Sequence, residues 1–268
     1  MNTKPLESSF ATIGARFKMR PDTSQWSSDS YAIDIPRDRH GKFFELRVTD
    51  RVQDVVDATV LQSDSNDRHL LLLIRRTDER ARKDRFLCGH DEREWFVAAV
   101  PGTASTLRQA KDALQPRIVR AAITRHRVRE RERYLRKNDA FRRQGEWFFV
   151  PEPRLNVKES LVLRNEPIRR GLGKPHIVEQ LYREGGELVY VCSEHPNGVT
   201  EHQYRAILGA RASASGWDWR TMRRNPRVYA RGTVRHPDHA TIRLPDWCQV
   251  LLNTETDAPS MPRMAFLD

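Results

Sequence analysis

The stretch of residues 116–143 contains eleven Arg or Lys residues against three acids. Pro116 suits the first position of a helix, because the amide of that position has no partner inside the helix. No further Pro or Gly follows until Gly145. The sequence therefore predicts one long basic helix over residues 116–145, and a helix of this length divides the chain into a part before it and a part after it.

The positive charge of the chain is concentrated in and beside this segment. The formal net charge is +11, and residues 101–145 hold 13 basic and 4 acidic residues, a net of +9. Clustered cations favour a polyanion such as nucleic acid, because binding releases the counterions that surround the phosphates. A solvated helix with its own i,i+3 and i,i+4 ion pairs is the alternative interpretation. The nucleic-acid contacts predicted here are Arg125, Arg127, Arg129, Arg131, Arg133, Arg136 and Lys137.

Strand patterns occupy the chain on both sides of the basic segment. Residues 31–35 and 43–48 alternate between apolar and polar side chains around a turn, which predicts a hairpin. Residues 178–183 and 187–192 flank Gly185-Gly186, and two glycines between strand patterns also predict a hairpin.

Together these patterns predict an α+β fold with two β-rich antiparallel lobes connected by a long basic helix. The predicted divisions are an irregular N-terminal segment (1–30), an N-terminal β-rich lobe with a short helix (31–115), the connecting helix (116–145), and a C-terminal α+β lobe (146–268) with a basic hairpin (227–244).

The register of the predicted hairpin 227–244 follows from its own alternation. A loop of odd length places the apolar side chains on one face, because a one-residue slip moves every side chain to the other face. That apolar face consists of Val228, Ala230, Val234, Ile242 and Leu244. The basic surface of this region consists of Arg223, Arg224, Tyr229, Arg231, Arg235 and Arg243. Such a surface suits phosphate contact with base stacking on Tyr229, while an ordinary half-solvated sheet is the alternative.

The turn of this hairpin carries the strongest candidate for catalysis, His236, Asp238 and His239. Two imidazoles and a carboxylate could supply the general acid and base of phosphodiester cleavage, because histidine titrates near neutral pH. They could also ligate a metal, but metal sites normally recruit further ligands from elsewhere, and the sequence names none. Pro-Asp is also a common turn sequence. We therefore predict no metal site and no cofactor.

The cysteines favour a reducing environment. Cys88, Cys192 and Cys248 share no CxxC spacing, so neither a disulfide framework nor a local zinc site is predicted. Cys88 and His90 could pair as nucleophile and base, although a buried thiol explains the same pattern. The longest apolar run, residues 70–74, is far shorter than a membrane span. The sequence predicts a cytoplasmic protein with no membrane partner.

Three hypotheses of function follow. The preferred one is a nucleic-acid-binding protein, with RNA or single-stranded DNA favoured over duplex DNA, because Arg and Tyr on strands suit unstacked bases. The second is a nuclease or phosphotransferase centred on the loop His236-Pro237-Asp238-His239. The third is a scaffold whose basic helix binds an acidic protein partner.

Overall fold

The chain has a mixed α+β fold with several sheets. The computed structural model describes residues 3–22, 31–79, 81–170 and 173–260. The chain divides into two compact units, unit 1 (Met1–Arg120 with Asn253–Pro262) and unit 2 (Ala121–Leu252 with Arg263–Asp268). No helix among the described residues is long and apolar enough to cross a membrane.

Unit 1 is built from a four-stranded antiparallel sheet, a three-stranded sheet and a two-stranded ribbon. Its elements are α1 (Lys4–Thr12), β1 (Phe17–Pro21), β2 (Tyr31–Asp34), β3 (Arg37–Asp38), β4 (Gly41–Lys42), β5 (Phe44–Val48), β6 (Val56–Asp64), β7 (His69–Arg76), β8 (Arg82–Asp91), β9 (Glu94–Ala99), α2 (Leu107–Ala113), and the short 3-10 helices Asp50–Val52 and Thr254–Asp257. The sheet orders are β6-β7-β8-β9 and β1-β5-β2. The predicted pairing of residues 31–35 with 43–48 is confirmed, because β2 and β5 are antiparallel neighbours.

The prediction of an irregular N-terminal segment is wrong for residues 3–22. Helix α1 buries Leu6 and Phe10, which lie four residues apart on one helical face, and β1 then pairs in parallel with β5. The rings of Phe10 and Phe17 stack with their centroids 4.7 Å apart. The Ser and Thr residues of this stretch led to the prediction of irregular structure, but they lie in a short helix whose one face is apolar. Residues 23–30 of the predicted segment lie outside the described residues.

Strand β7 explains why the run 70–74 is apolar without interruption. Leu70, Leu72 and Ile74 lie in one buried cluster, which also contains Phe10 of α1 and side chains of the three-stranded sheet. Leu71 lies in a second cluster with residues of α2. Successive side chains of a strand point to opposite faces, so a strand covered on both faces needs apolar residues at every position.

The predicted long basic helix is wrong, because helix α3 spans only Arg117–Arg125. Arg127 has a φ of 50°, in the left-handed region. Its N–H donates to the Thr124 carbonyl at 3.1 Å, and the Val128 N–H donates to the Ile123 carbonyl at 3.1 Å. These two bonds form a Schellman motif, which ends a helix and satisfies its last carbonyls. Ile123 and Val128 are both buried, as that motif favours.

Unit 2 is built from a six-stranded antiparallel sheet and a small three-stranded sheet. Its elements after α3 are the 3-10 helix Glu130–Glu132, β10 (Arg142–Gln144), β11 (Trp147–Pro151), the 3-10 helix Glu159–Leu161, β12 (Leu163–Ile168), β13 (His176–Glu184), β14 (Glu187–Cys192), β15 (His195–Val199), α4 (Glu201–Ala210), the 3-10 helix Ala212–Gly216, β16 (Arg220–Arg224), β17 (Arg227–His236) and β18 (His239–Leu252). The sheet orders are β10-β11-β18-β17-β13-β12 and β15-β14-β16.

The apolar face predicted for the basic hairpin is confirmed. Four of its members, Val228, Ala230, Val234 and Leu244, lie in one buried cluster of the six-stranded sheet, and the partly buried Ile242 packs against this cluster. Val234 pairs with Ile242 and His236 pairs with His239, so β18 has one residue more than β17 between these two pairs. This bulge supplies the odd residue that the alternation requires.

The predicted hairpin at Gly185-Gly186 is wrong. Strand β13 pairs with β12 and β17, whereas β14 pairs with β15 and β16. Both glycines have positive φ, 71° and 82°. The two glycines therefore carry the chain out of the large sheet and into the small one.

Candidate functional site

Three histidines of unit 2 meet at one end of the six-stranded sheet. His236 ends β17 and pairs with His239, the first residue of β18, across a turn of two residues. His176 is the first residue of β13, and its neighbour Ile177 pairs with Arg235. The sheet order places β13 beside β17, so the three imidazoles lie on three adjacent strands.

The three rings form a triangle. The ring centroids are 4.2 Å apart for His176 and His236, 4.7 Å for His236 and His239, and 5.7 Å for His176 and His239. One ring nitrogen from each side chain lies within 4.8 Å of the others. We call these three residues the histidine cluster.

His176 is the buried member of the histidine cluster. Its side chain is 1% exposed, and neither ring nitrogen has a hydrogen-bond partner among the described residues. Burial is the main cause that lowers the pKa of His176 to about 3, and the neighbouring imidazoles lower it further. The imidazole is therefore neutral at physiological pH, with a lone pair available inside the protein.

Gly145, in the turn between β10 and β11, closes over the cluster. Its φ is 59°, and a Cβ atom at this position would lie 2.8 Å from Nε2 of His239 and 3.4 Å from Nε2 of His176. Glycine suits this position because the backbone conformation is left-handed and an added Cβ would crowd the two rings. The same two distances show that the two Nε2 atoms approach a common point.

The carboxylate of Asp238 is paired with Lys174. Both of its oxygens accept hydrogen bonds from Nζ of Lys174, at 2.8 and 2.9 Å. Its backbone N–H donates to Nδ1 of His236 at 3.1 Å. Burial and the charge of His239 lower the pKa of His236, which disfavours its protonated form as a general acid.

The end of α3 and the segment that follows it carry a series of arginines. Arg125, Arg127 and Arg129 are exposed, and no carboxylate among the described residues forms an ion pair with any of them. Arg131 is 74% exposed and lies 3.6 Å from a carboxylate oxygen of Glu132. Of the remaining predicted contacts, Lys137 is exposed, and Arg133 and Arg136 are half-buried and have partners. We call residues 125–137 the arginine loop.

The predicted base-stacking surface is absent from the basic hairpin. Tyr229 is 6% exposed, and its ring stacks near that of Tyr182 on β13, with centroids 6.0 Å apart. The sequence placed Tyr229 opposite the apolar face, but β17 has neighbouring strands on both sides, so this ring is covered. Arg231 donates to Gln180 at 2.7 Å and lies 4.7 Å from the ring centroid of Trp247.

The other predicted arginines of this region are exposed or tie strands together. Arg235 and Arg243 are exposed, and Arg235 donates to the side chain of Asn165. Arg223 donates to the Gly185 carbonyl. Arg224 pairs with Glu187 at 2.5 Å, which links β16 to β14.

An aromatic cluster that the sequence did not predict fills the centre of the small sheet. Tyr204 of α4 stacks on Tyr190 of β14 with centroids 4.1 Å apart, and Trp219 contacts Tyr204 edge-on. Nε1 of Trp219 donates to the Ala214 carbonyl at 2.8 Å. These contacts pack α4 and the following 3-10 helix onto the small sheet.

Cys88 is fully buried, and burial raises the pKa of its thiol. This burial disfavours the thiolate, which is the reactive form of a cysteine. His176 was missed by sequence reasoning because it lies sixty residues before His236.

No protein-family model, curated protein sequence or solved structure matches the chain.

Proposed function

We propose that this protein binds nucleic acid, and that the arginine loop contacts the phosphate backbone. The observation that carries the proposal is the run of exposed guanidinium groups at Arg125, Arg127 and Arg129, for which the described residues supply no carboxylate partner. A guanidinium fork matches the oxygens of a phosphate and is always charged at physiological pH.

Three other exposed arginines of unit 2 have carboxylate partners within the protein. The pairs are Arg164 with Glu159, Arg205 with Glu201, and Arg227 with Glu184. An arginine with an internal partner gains less from an external phosphate, because the existing ion pair must first be given up. The unpaired arginines of the loop are free of this cost, and their binding releases the counterions of the nucleic acid.

The hairpin arginines Arg235 and Arg243 are secondary contacts in this proposal. The carboxylate of Glu179 lies close enough to both for their charges to lower its pKa, so it offsets part of their field. The preference for single strands rested on Tyr229, which is buried. We therefore propose recognition of the phosphate backbone without a preference for RNA, single-stranded DNA or duplex DNA.

Salt-dependent binding of labelled oligonucleotides tests the proposal. We expect the triple variant Arg125→Gln, Arg127→Gln and Arg129→Gln to bind more weakly and to reduce the slope of log K against log salt by about 2–3, at about 0.7–0.9 per lost phosphate contact. The matched control changes Arg164, Arg205 and Arg227 to Gln, which removes the same charge from paired positions. Equal losses in the two triple variants, or no binding by the wild type at low salt, would contradict the proposal.

The two other functions remain as outcomes of the same experiment. Cleavage of the labelled oligonucleotide by the wild type, abolished in His236→Gln and His239→Gln, would indicate a nuclease at the hairpin turn. Binding of an acidic polypeptide in place of nucleic acid, again dependent on the arginine loop, would indicate a scaffold for an acidic partner and would contradict our proposal.

A further inference from the structure

We propose that the histidine cluster binds a transition-metal ion of the Zn²⁺ class, with His176, His236 and His239 as its protein ligands. The three imidazoles come from three adjacent strands, and one nitrogen of each lies within 4.8 Å of the others. This site is separate from the arginine loop and does not depend on the proposed nucleic-acid binding.

The state of His176 is the second observation that supports a ligand. A buried imidazole ordinarily donates a hydrogen bond from one nitrogen and accepts one at the other. A buried polar group without partners destabilises the folded protein. Both nitrogens of His176 lack partners among the described residues, although the side chain is 1% exposed. A metal ion bound to the lone pair of one nitrogen would satisfy it.

The donor set decides the class of metal. The cluster offers three imidazole nitrogens, and the nearby carboxylate of Asp238 is paired with Lys174. Imidazole suits Zn²⁺, Cu²⁺, Ni²⁺ and Co²⁺, whereas Mg²⁺ and Ca²⁺ prefer oxygen ligands. Three histidines leave the fourth position of a tetrahedron for water, and His236 and His239 are only half-buried, so solvent reaches that side.

Metal binding requires a small closure of the cluster. Zn–N bonds of about 2.0–2.1 Å place the nitrogens of a tetrahedral site roughly 3.3 Å apart. The nitrogens here lie within 4.8 Å of one another, so side-chain movements of about an ångström are sufficient.

Metal binding should also change a hydrogen bond in the turn of the hairpin. Nδ1 of His236 accepts from the Asp238 N–H, so the ring proton resides on Nε2. Coordination through Nε2 moves the ring proton to Nδ1, which can then no longer accept this hydrogen bond. The Asp238 amide should therefore change its environment on metal binding, even though it is not a ligand.

Titration of the full-length, chelator-treated protein with Zn²⁺ and Co²⁺ tests the site. We expect one ion per chain, visible ligand-field absorption with Co²⁺, no displacement by Mg²⁺, and a shift of the Asp238 amide resonance. His176→Gln and His239→Gln should each weaken Zn²⁺ affinity by more than the roughly 10–100-fold loss typical of second-shell partners. His202→Gln, on the exposed face of α4, is the control and should bind like the wild type.

Two outcomes would overturn the assignment. The first is the absence of stoichiometric Zn²⁺ binding by the wild type, which would leave the cluster as packed imidazoles beside Trp147. The second is unchanged Zn²⁺ affinity in a folded His239→Gln variant. Because His239 is half-buried, this variant remains informative if His176→Gln fails to fold. Oligonucleotide affinity should be the same in all these variants, which separates the result from the proposed function.

Discussion

Arg127 holds the backbone conformation that ends helix α3. A helix terminus of this type usually has Gly or Asn at the left-handed position, because other side chains crowd the backbone there. The φ of Arg127 is 50°, and the two hydrogen bonds of the Schellman motif fix it. The residue therefore combines an exposed charge with a strained backbone.

Replacing Arg127 with Gly should stabilise the protein. The left-handed conformation costs a non-glycine residue about 1–2 kcal/mol, and glycine gives back about 0.4–1 kcal/mol through the entropy of the unfolded chain. We expect Arg127→Gly to raise the free energy of unfolding by about 0.5–1 kcal/mol. Urea denaturation with an unchanged m-value measures the difference.

Arg129→Gly is the control for this change. Arg129 is also exposed and unpaired within the described residues, but its φ is −60°. Glycine there brings only the entropic cost, so we expect a loss of about 0.4–1 kcal/mol. Equal destabilisation by the two substitutions would show that the backbone of Arg127 is not strained.

At the scale of elements, β17 and β18 form the central pair of the large sheet, and bulges shape this pair. One irregularity lies between Ala230 and Gly232. Gly232 has a φ of 84°, and a Cβ atom there would lie 2.7 Å from Oε2 of Glu179 on the neighbouring strand β13. The Glu179 carboxylate accepts the Thr233 N–H at 2.8 Å. The bulge and this carboxylate therefore support each other.

Gly232→Ala should disrupt that arrangement. The left-handed backbone and the contact with Glu179 together predict a loss of about 1–3 kcal/mol in the free energy of unfolding. The hydrogen bonds from Thr233 are the main cause that holds the pKa of Glu179 below its ordinary value, so this pKa should rise in the variant. Thermal unfolding and NMR titration of the Glu179 carboxyl group measure the two effects.

Gly209→Ala provides the matched comparison. Gly209 lies in α4, its added Cβ would meet nothing within 4 Å, and alanine favours a helix. We expect a gain of roughly 0.5–1 kcal/mol. A loss of similar size at both positions would remove the special role assigned to the bulge.

A strand and its buried face could be predicted where apolar and polar residues alternate along it. Val228, Ala230, Val234, Ile242 and Leu244 gave the correct apolar face, because strand periodicity and burial agree there. The end of α3 could not be predicted for two reasons. The left-handed position of its Schellman motif is usually glycine but is Arg127 here, and the motif also depends on the burial of Val128. Gly185-Gly186 correctly indicated that the chain changes direction there, but these two residues did not indicate which strands would pair.

At the scale of the whole molecule, the histidine cluster depends on the strand order. His236 and His239 are close in the sequence and were predicted together. His176 joins them only because β13 lies beside β17 in the sheet, and no local spacing encodes that neighbour. The same strand order covers Tyr229, which the alternation alone had left exposed.

Unit 1 is closed by a segment from the far end of the chain. Asn253–Pro262 belongs to unit 1, and Ala258 lies in its main buried cluster. The Thr254 N–H donates to the Leu114 carbonyl at 3.2 Å. Oε1 of Glu255, a residue 8% exposed, accepts the Ala99 N–H at 3.2 Å. The segment therefore completes hydrogen bonds that the earlier chain leaves open.

Glu255→Ala should destabilise unit 1 selectively. The Ala99 amide would lose its acceptor in a buried place, at a cost of about 1–3 kcal/mol. We expect faster amide hydrogen exchange in β9 and unchanged exchange in β13 and β17 of unit 2. Asp257→Ala, at an exposed position of the same segment, is the control and should change stability by less than about 0.5 kcal/mol. Loss of protection in unit 2 strands instead would contradict this local role.

Unit 1 consists of two separate chain segments, and this affects how it folds during synthesis on the ribosome. Unit 1 begins first, but its closing segment is synthesised only after Ala121–Leu252. Translation of that stretch takes roughly 7–26 s at about 5–20 residues per second. During this interval the nascent first unit lacks the acceptor for its Ala99 amide and the apolar contact of Ala258. The unit that starts to fold first therefore cannot complete these contacts until Ala121–Leu252 has been made.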